Sequence, residues 1–251
     1  MVLLSTIVSL FLDPPLLVVT TLFFTPPSVY ILWRKPSLFK GPAVAALLFG
    51  VIWAPSFDHF ATFNNAFAGT PNTLLFFPFP MFMPLDLFLL YAMQVFGIAI
   101  FYDYFIAGSP SGPISPRAAR SALAGLGVLL LFVFLLDSAP DLVSVRYGYL
   151  VAGLATLAPA LVILYRRPGL CVPALKTVPF FFFLYLLYEL VSLHFGLWRF
   201  PGQYLGMVTL FDLHFPLEEL VFWIALSSAS ISVYYAHFIR TEPRAETLPV
   251  R

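Results

Sequence analysis

Charged residues are scarce in this sequence. Asp, Glu, Lys and Arg make up only 10% of the 251 residues, whereas hydrophobic residues make up 61%. A soluble domain carries about 25% charged residues because its surface faces water, so an ordinary soluble fold is excluded. Intrinsic disorder is excluded too, because it requires low hydrophobicity. The composition predicts a polytopic helical membrane protein.

Cysteine is almost absent, and the few charges nearly cancel. The single cysteine, Cys171, excludes an internal disulfide and a cysteine-rich metal site. The formal net charge is +1, so the sequence offers no strongly basic surface for nucleic acid and no strongly acidic one. We therefore expect the membrane as a partner and no nucleic acid. Residues 1–12 lack a basic segment and a small-residue cleavage site, so we expect no cleaved signal peptide.

Apolar stretches of about 20 residues, the length that crosses the hydrocarbon layer as a helix, alternate with short polar segments. Eleven of the thirteen lysines and arginines lie in the tail or in alternate loops, on one side of the membrane. Because basic residues concentrate in cytoplasmic loops, we predict an integral protein of the cell membrane with its N-terminus outside and its C-terminus in the cytoplasm. The predicted spans are 14–33, 42–63, 74–102, 117–137, 145–165, 173–197 and 204–238.

The chain matches itself when it is shifted by 132 residues. When a gap of one residue is allowed in this alignment, Asp58 also aligns with Glu189. We interpret these matches as two copies of a three-helix unit. The matching pairs are Pro27 with Pro159, Arg34 with Arg166, Pro36 with Pro168, Pro84 with Pro216, Asp86 with Glu218 and Tyr102 with Tyr234.

These repeats predict an all-α integral membrane fold of seven transmembrane helices. Three helices end on the side opposite to where they began, so a linking helix must return the chain before the second repeat starts. The repeats are therefore parallel, in a 3+1+3 arrangement, and active sites of such proteins lie between the halves. Within a single membrane domain at 1–251, we predict repeat 1 at 14–105, the linking helix at 117–137, repeat 2 at 145–238 and a cytoplasmic tail at 240–251.

Four carboxyl side chains that the repeats relate in pairs fall inside predicted spans, where each is costly and hence a functional candidate. The predicted topology brings all four to the outer half of the membrane, at one depth. A carboxyl group in apolar surroundings is favoured in its neutral form, so it can hold a proton near neutral pH and deliver it. Hydrogen bonding between helices is the alternative role for Asp58 and Glu189. The four are Asp58 and Glu189, and Asp86 and Glu218.

The segment 215–223 contains two adjacent glutamates, Glu218 and Glu219. Neighbouring residues on a helix point about 100° apart, so only one of them can face a given cavity. The match with Asp86 selects Glu218, and we expect Glu219 to bind a neighbouring helix or backbone amides freed by Pro216. Neither the carboxyl nor the histidine spacing fits a magnesium or zinc motif, so we expect no metal and no other cofactor.

Five further residues are candidates for binding a substrate. His214 stands four residues before Glu218 and would share its helical face, as a proton relay or an orienting hydrogen-bond partner; a structural histidine is the alternative. Aromatic rings near the carboxyl layer would stabilise a cation that water does not reach. An acid beside an aromatic wall suits carbocation chemistry on a lipid-soluble polyene. The aromatic candidates are Tyr188, Trp198, Phe222 and Trp223.

At this point the sequence resembles a known family. The stretch from Glu189 to Trp198, then Gly206, then Pro216-Leu217-Glu218-Glu219 before an aromatic pair, is similar to the lycopene cyclase domain, whose hallmark is P-x-E-E/D. This is the membrane carotenoid cyclase family of fungi, archaea and some bacteria. The bacterial repeats are often separate subunits, whereas here they would be fused. The resemblance covers essentially the whole chain.

The resemblance implies an isomerase, or intramolecular lyase, of carotenoid and hence terpenoid biosynthesis. Such an enzyme cyclises the ψ ends of lycopene to β-ionone rings without net redox change. An acid protonates the terminal double bond, the ring closes through a tertiary cation, and a base removes a ring proton. The resemblance implies Glu218 as acid or base and Glu219 as its support. The implied partner carboxyls are Asp58, Asp86 and Glu189.

The first repeat departs from the family pattern. Pro84-Leu85-Asp86-Leu87 carries one carboxyl group instead of two, and Phe67 stands where the family has a tryptophan. The polyene and the number of ends cyclised are therefore open, and an oligomer is compatible with the sequence.

Other functions fit the same pattern. A carotenoid hydratase or a membrane terpene cyclase would generate the same cation and quench it differently. A small 3+1+3 transporter shares the helix plan, although the repeats lack the proline-glutamine signature of sugar transporters. A microbial rhodopsin is set aside because its last helix needs a lysine. The three lysines here are Lys35, Lys40 and Lys176, outside the last span.

Overall fold

The computed structural model describes residues 1–12, 14–69 and 84–241. It is mostly helical. Among these residues, five helices are long and apolar enough to cross a membrane. They are α2 (Leu16–Arg34), α3 (Pro36–Phe63), α4 (Leu85–Ile106), α5 (Pro116–Ser138) and α6 (Gly148–Arg166), and a shorter apolar helix, α1 (Val2–Leu12), precedes them.

Two bent pairs of helices follow. Each pair passes the same test of length and composition together, so the number of spans rises to seven if each pair is one span. The first pair bends by 50° and the second by 47°. A chain with five to seven apolar helices of this length has the make-up of an all-α integral membrane protein. The pairs are α7 (Pro168–Leu175) with α8 (Val178–His194), and α9 (Glu219–Ala225) with α10 (Ser227–Ile239).

The predicted span at 204–238 is wrong in its first part. Residues Met207–Leu210 (β3) and Leu213–Pro216 (β4) form an antiparallel hairpin, and the chain becomes helical only after Pro216. The two residues of the turn, Phe211 and Asp212, have positive φ values of 51° and 63°, which a tight two-residue hairpin turn of the mirror-image type requires. Local strand pairing therefore outweighs the apolar composition that suggested helix.

Other predicted boundaries agree more closely. The predicted spans 14–33, 117–137 and 145–165 correspond to α2, α5 and α6 within three residues. The beginning of the predicted span 74–102 and most of the predicted tail at 240–251 lie outside the described residues.

An aromatic cluster joins α2 to α8. The rings of Phe23 and Tyr188 meet edge to face with centroids 5.5 Å apart, and Phe24 contacts Tyr185 and Tyr188 at 5.7 and 5.3 Å. The hydroxyl groups of Thr20 and Tyr188 lie 2.9 Å apart. Because lipid is as apolar as the helices, such dispersion contacts and interhelical hydrogen bonds hold the bundle together rather than the hydrophobic effect.

The contact between α3 and α4 is close because glycine stands in it. A Cβ atom at Gly50 would come within 2.6 Å of the Ala92 Cα atom. Gly50 lies in a π-helical stretch of α3, Ala46–Trp53. A small residue allows two backbones to approach, which strengthens dispersion contacts along the whole pair of helices.

One end of the bundle collects basic side chains. Lys35 donates a hydrogen bond to the Gly108 carbonyl group at 3.0 Å, and Arg117 donates to the His237 carbonyl group at 3.3 Å. The Arg240 Nε atom lies 3.7 Å from the Asp103 Oδ1 atom. The end of α2, both ends of the α4–α5 connection and the end of α10 therefore meet here.

Candidate functional site

A cavity of about 360 Å³ lies among α3, α4, α6, α8, α9 and α10. Most of its lining is apolar or aromatic, as expected for a site that takes an apolar ligand. Three carboxyl groups also line it. They are Asp58, Glu189 and Glu219.

Asp58 lies on α3 and is buried, with 6% of its surface exposed. The phenol of Tyr91, on the neighbouring helix α4, donates a hydrogen bond to Asp58 Oδ1. Tyr91 lines the cavity as well. One oxygen of this carboxyl group is therefore held by a neutral donor.

Glu189, near the end of α8, is 3% exposed. The indole N–H of Trp198 donates to Glu189 Oε1 at 2.9 Å. Gly196, at a φ of 61°, lets the chain reverse after α8, and the short strand β2 (Trp198–Arg199) pairs with β1 (Ala68–Gly69). This reversal returns the indole ring to the carboxyl group nine residues before it.

Glu219 is the first residue of α9, a π-helical turn. The phenol of Tyr149, in the first turn of α6, donates to Glu219 Oε2. The Tyr149 ring stacks on Trp223 with centroids 6.1 Å apart and planes 22° apart. Turns of π-helix recur at functional sites because they shift a side chain out of the regular helical register.

The three carboxyl groups share one arrangement. Each accepts one hydrogen bond from a neutral N–H or O–H group, and in the described part of the chain none of them is in an ion pair. An ionised carboxylate in such surroundings is costly because nothing replaces its hydration. The site is therefore suited to carboxyl groups that take up and release a proton, rather than to carboxylates that bind a permanent cation.

The expectation that Glu218 is the glutamate facing the cavity is wrong, whereas the expected bond of Glu219 to a neighbouring helix is present, from Tyr149. Glu218 immediately precedes α9, is 1% exposed and does not line the cavity. Its Oε1 atom accepts a hydrogen bond from the backbone N–H of Leu205 at 2.7 Å, so it ties the segment before the hairpin to the start of α9. The chain is already helical at Glu218, so the two adjacent side chains do point in different directions and only one faces the cavity. The match with Asp86 selected the wrong one of the two, because Asp86 does not line the cavity either.

Asp86 does not join the carboxyl groups of the cavity. It is completely buried in the first turn of α4 and lies away from the cavity lining. Leu87, the next residue, lines the cavity instead. The third carboxyl group of the site is therefore Glu219.

The expectation that His214 shares a helical face with Glu218 is wrong. His214 lies in strand β4 of the hairpin and its side chain is exposed. Residues four apart share a face only on a helix, so the relation has no counterpart here. His214 does not line the cavity.

The aromatic candidates are found at the cavity. Tyr188, Trp198, Phe222 and Trp223 all line it. Phe222 packs against Gly153 of α6, where a Cβ atom would collide with its ring.

Sequence reasoning missed two residues of the site, Tyr91 and Tyr149. Tyr91 stands 132 residues before Trp223, so the internal match could have found it. Phe67 also lines the cavity and has no N–H to offer, and Tyr91 supplies the donor for Asp58 instead. No sequence match marks Tyr149, because only tertiary packing brings α6 into contact with α9.

Neither a metal-binding cluster among the described residues nor similarity to a known protein indicates the function of this site. Within residues 1–12, 14–69 and 84–241, no group of three or more His, Cys, Asp or Glu side chains could hold a metal ion. No family model, curated protein or solved structure matches this chain. The function of the site is therefore inferred from the residues that form it.

Proposed function

We propose that this chain is a carotenoid cyclase of the lycopene type, an isomerase that forms ionone rings by acid-initiated, non-redox cyclisation through a carbocation. The observation that carries the proposal is the convergence of Asp58, Glu189 and Glu219 on one apolar, aromatic cavity. The substrate is then a lipid-soluble polyene, and the reaction needs no cofactor.

The hydrogen bonds of the carboxyl groups support a proton donor. One oxygen of Glu219 receives the Tyr149 O–H, which leaves the other oxygen to carry a proton. When that proton moves to an alkene, negative charge develops on the carboxyl group and the Tyr149 hydrogen bond strengthens. An interaction that is stronger in the transition state than in the ground state accelerates the chemical step. Asp58 and Glu189 have the same arrangement and are the candidate bases.

The aromatic lining supports the cationic intermediate. Trp223, stacked on Tyr149, and Trp198, at Glu189, bring ring faces beside the carboxyl groups. A ring face attracts a cation by about 0.5–2 kcal/mol, with the larger value where water is excluded. An alkyl cation cannot be solvated by a hydrated counter-charge in this cavity, so aromatic rings are the available stabilisation.

We include the seven-span, 3+1+3 topology in the proposal. Two contacts support it because they join residues that the internal match makes equivalent. Ala68 pairs with Arg199, 131 residues later, and the Tyr235 hydroxyl group donates to Asp103 Oδ2, 132 residues earlier, at 2.6 Å. Contacts between equivalent positions are expected where a two-fold axis passes between repeats. The basic end of the bundle then faces the cytoplasm and the carboxyl groups lie toward the outside.

Expression in a host that accumulates lycopene tests the proposal. We expect monocyclic or bicyclic carotenes of unchanged mass, separated by chromatography and identified by mass spectrometry. The Glu219→Gln variant should lose this activity at an unchanged protein level in the membrane. Asp141→Asn, an exposed acid between α5 and α6, is the matched control and should retain it. Persistence of lycopene beside well-folded wild-type protein would contradict the proposal and favour a transporter or another terpenoid.

A carotenoid hydratase is a second candidate. Gln94, Ser227 and Ser230 line the same cavity, and their polar groups could hold a water molecule that quenches the cation. The products would then be heavier by one water per reacted end, which the same mass measurement separates from cyclisation.

A further inference from the structure

A second, much smaller cavity shares no lining residue with the first. It has a volume of about 10 Å³, which is less than one water molecule needs. Spans α2, α4 and α8 enclose it. Its lining includes Phe24, Pro27, Phe101 and Phe181.

The internal match relates this small cavity to the large one. Pro27 corresponds to Pro159 and Phe24 to Thr156, and both partners line the large cavity. Phe49, which also lines the large cavity, corresponds to Phe180 or Phe181, depending on where the one-residue gap falls, and both line the small one. The small cavity therefore corresponds to the part of the large cavity around Thr156 and Pro159, a groove that opens into the carboxyl-lined remainder between the two halves.

The residues that differ explain the difference in volume. Phe24 replaces Thr156 and is 1% exposed, packed against Tyr185 and Tyr188. Phe101 stands where the second half has Val233, and its ring stacks on Phe180 with centroids 5.0 Å apart. Phe24 thus puts an aromatic ring where the open groove is lined by Thr156, and Phe101 adds a second ring to the lining of the small cavity, so the equivalent groove is filled.

The two repeats also differ in their polar side chains. Tyr149 and Glu219, which bond to each other at the large cavity, correspond to Leu17 and Leu87 in the first repeat. Neither leucine can donate or hold a proton. Leu87 lines the large cavity and Leu17 lines neither cavity, so this acid and its donor occur once and belong to the large cavity.

We propose that only one of the two equivalent grooves, the one at Thr156, binds substrate, and that aromatic side chains have closed the other. This inference rests on the proposed function and assigns one reaction site to each chain. In each binding event one proton passes from a carboxylic acid to the terminal double bond, one carbon–carbon bond closes one ring, and one ring proton leaves to a carboxylate. The two ends of a symmetric polyene therefore react in separate events.

A binding measurement tests the single groove without relying on turnover. Of the four tryptophans, Trp53, Trp198 and Trp223 line the large cavity, and Trp33 is 75% exposed. In a Trp33→Phe background, lycopene in phosphatidylcholine vesicles should quench the remaining fluorescence. The saturable part reports binding, and the linear part reports dissolved pigment. We expect saturation at one lycopene per chain, and saturation at two would overturn the proposal.

Variants identify the groove. Thr156→Phe copies Phe24 into the open half and should remove the saturable quenching and the cyclised products together. Leu154→Phe adds the same ring on the same helix at a position that is 50% exposed, and should leave both unchanged. Phe24→Leu, a mild change in the closed half, should also leave both unchanged. Normal binding in Thr156→Phe, or loss in Phe24→Leu at equal protein level, would place the substrate elsewhere and overturn the proposal.

The time course separates this inference from the proposed function. If wild-type protein binds lycopene but forms no ring, the cyclase proposal fails while the binding result still decides the single groove. If rings form, a monocyclic product should precede any bicyclic one. Bicyclic product with no monocyclic product at the earliest times would contradict separate events.

Discussion

At the residue scale, two adjacent glutamates point in different directions and have different hydrogen-bond partners. Glu219 faces the cavity and accepts from Tyr149, while Glu218 is turned away and accepts the Leu205 N–H. The same side-chain chemistry is thus used once at the cavity, where we propose the acid, and once for a backbone anchor. What separates them is a single step along a chain that is helical at both residues, so the two side chains point about 100° apart.

The pair of variants Glu219→Gln and Glu218→Gln tests this division. We expect Glu219→Gln to lower cyclisation by about 10²-fold or more, the range over which a general acid contributes. Glu218→Gln keeps an amide oxygen that can accept from Leu205, so its activity per unit of membrane protein should fall by less than about tenfold. The measurement is the yield of cyclised pigment normalised to protein. A larger loss in Glu218→Gln would return the acid role to Glu218.

The phenol of Tyr149 is a positioning group for Glu219. Tyr149→Phe keeps the ring and its stacking on Trp223 but removes the donor. A hydrogen bond to a charged group contributes about 1.5–3 kcal/mol, so the turnover rate should fall by about 10- to 100-fold. The pH–rate profile should shift as well, which a purely structural defect would not cause. Tyr165→Phe, on the same helix at a position 90% exposed, should change neither rate nor profile.

At the element scale, close helix contacts and short strands position the site. Gly50 lets α3 approach α4, which brings Asp58 within reach of Tyr91. The pairing of β1 with β2 holds Trp198 at Glu189. These elements are remote in sequence, so the carboxyl groups depend on packing for their arrangement.

Gly50→Ala tests the contact between α3 and α4. The added Cβ atom would lie 2.6 Å from the Ala92 Cα atom, so one helix must move, and overpacking of this kind costs about 1–3 kcal/mol. We expect a lower unfolding temperature in detergent and lower activity, because Asp58 and Tyr91 separate. Gly127→Ala is the control, since a Cβ atom there meets nothing within 4 Å. Equal stability of the two variants would show that the helices can part without cost.

At the scale of the whole molecule, the two ends of the bundle differ in charge. Lys35, Arg117 and Arg240 bond near one end, whereas Asp58 and Glu189 lie near the ends of α3 and α8 and Glu219 lies at the start of α9. In the proposed topology this asymmetry orients the protein during insertion, because basic residues concentrate in cytoplasmic loops.

Cysteine labelling tests the orientation. In a Cys171→Ala background, Ser144→Cys, between α5 and α6, should react in intact cells with a membrane-impermeant maleimide. Gly169→Cys, after α6, should react only in opened cells, and its Cβ atom has free space around it. The opposite pattern would invert the topology, and reaction of both from outside would change the number of spans.

The sequence by itself determined the membrane class, most helix positions and most of the aromatic wall, because apolar length and internal repetition are local or periodic properties. It also placed Asp58, Glu189 and Glu219 among the candidates. The tertiary structure decided which of the adjacent glutamates faces the cavity, that Asp86 and His214 stay outside it, and that Tyr91 and Tyr149 belong to it. Those outcomes depend on where a strand ends and on which helices touch, and both are set by contacts between residues distant along the chain.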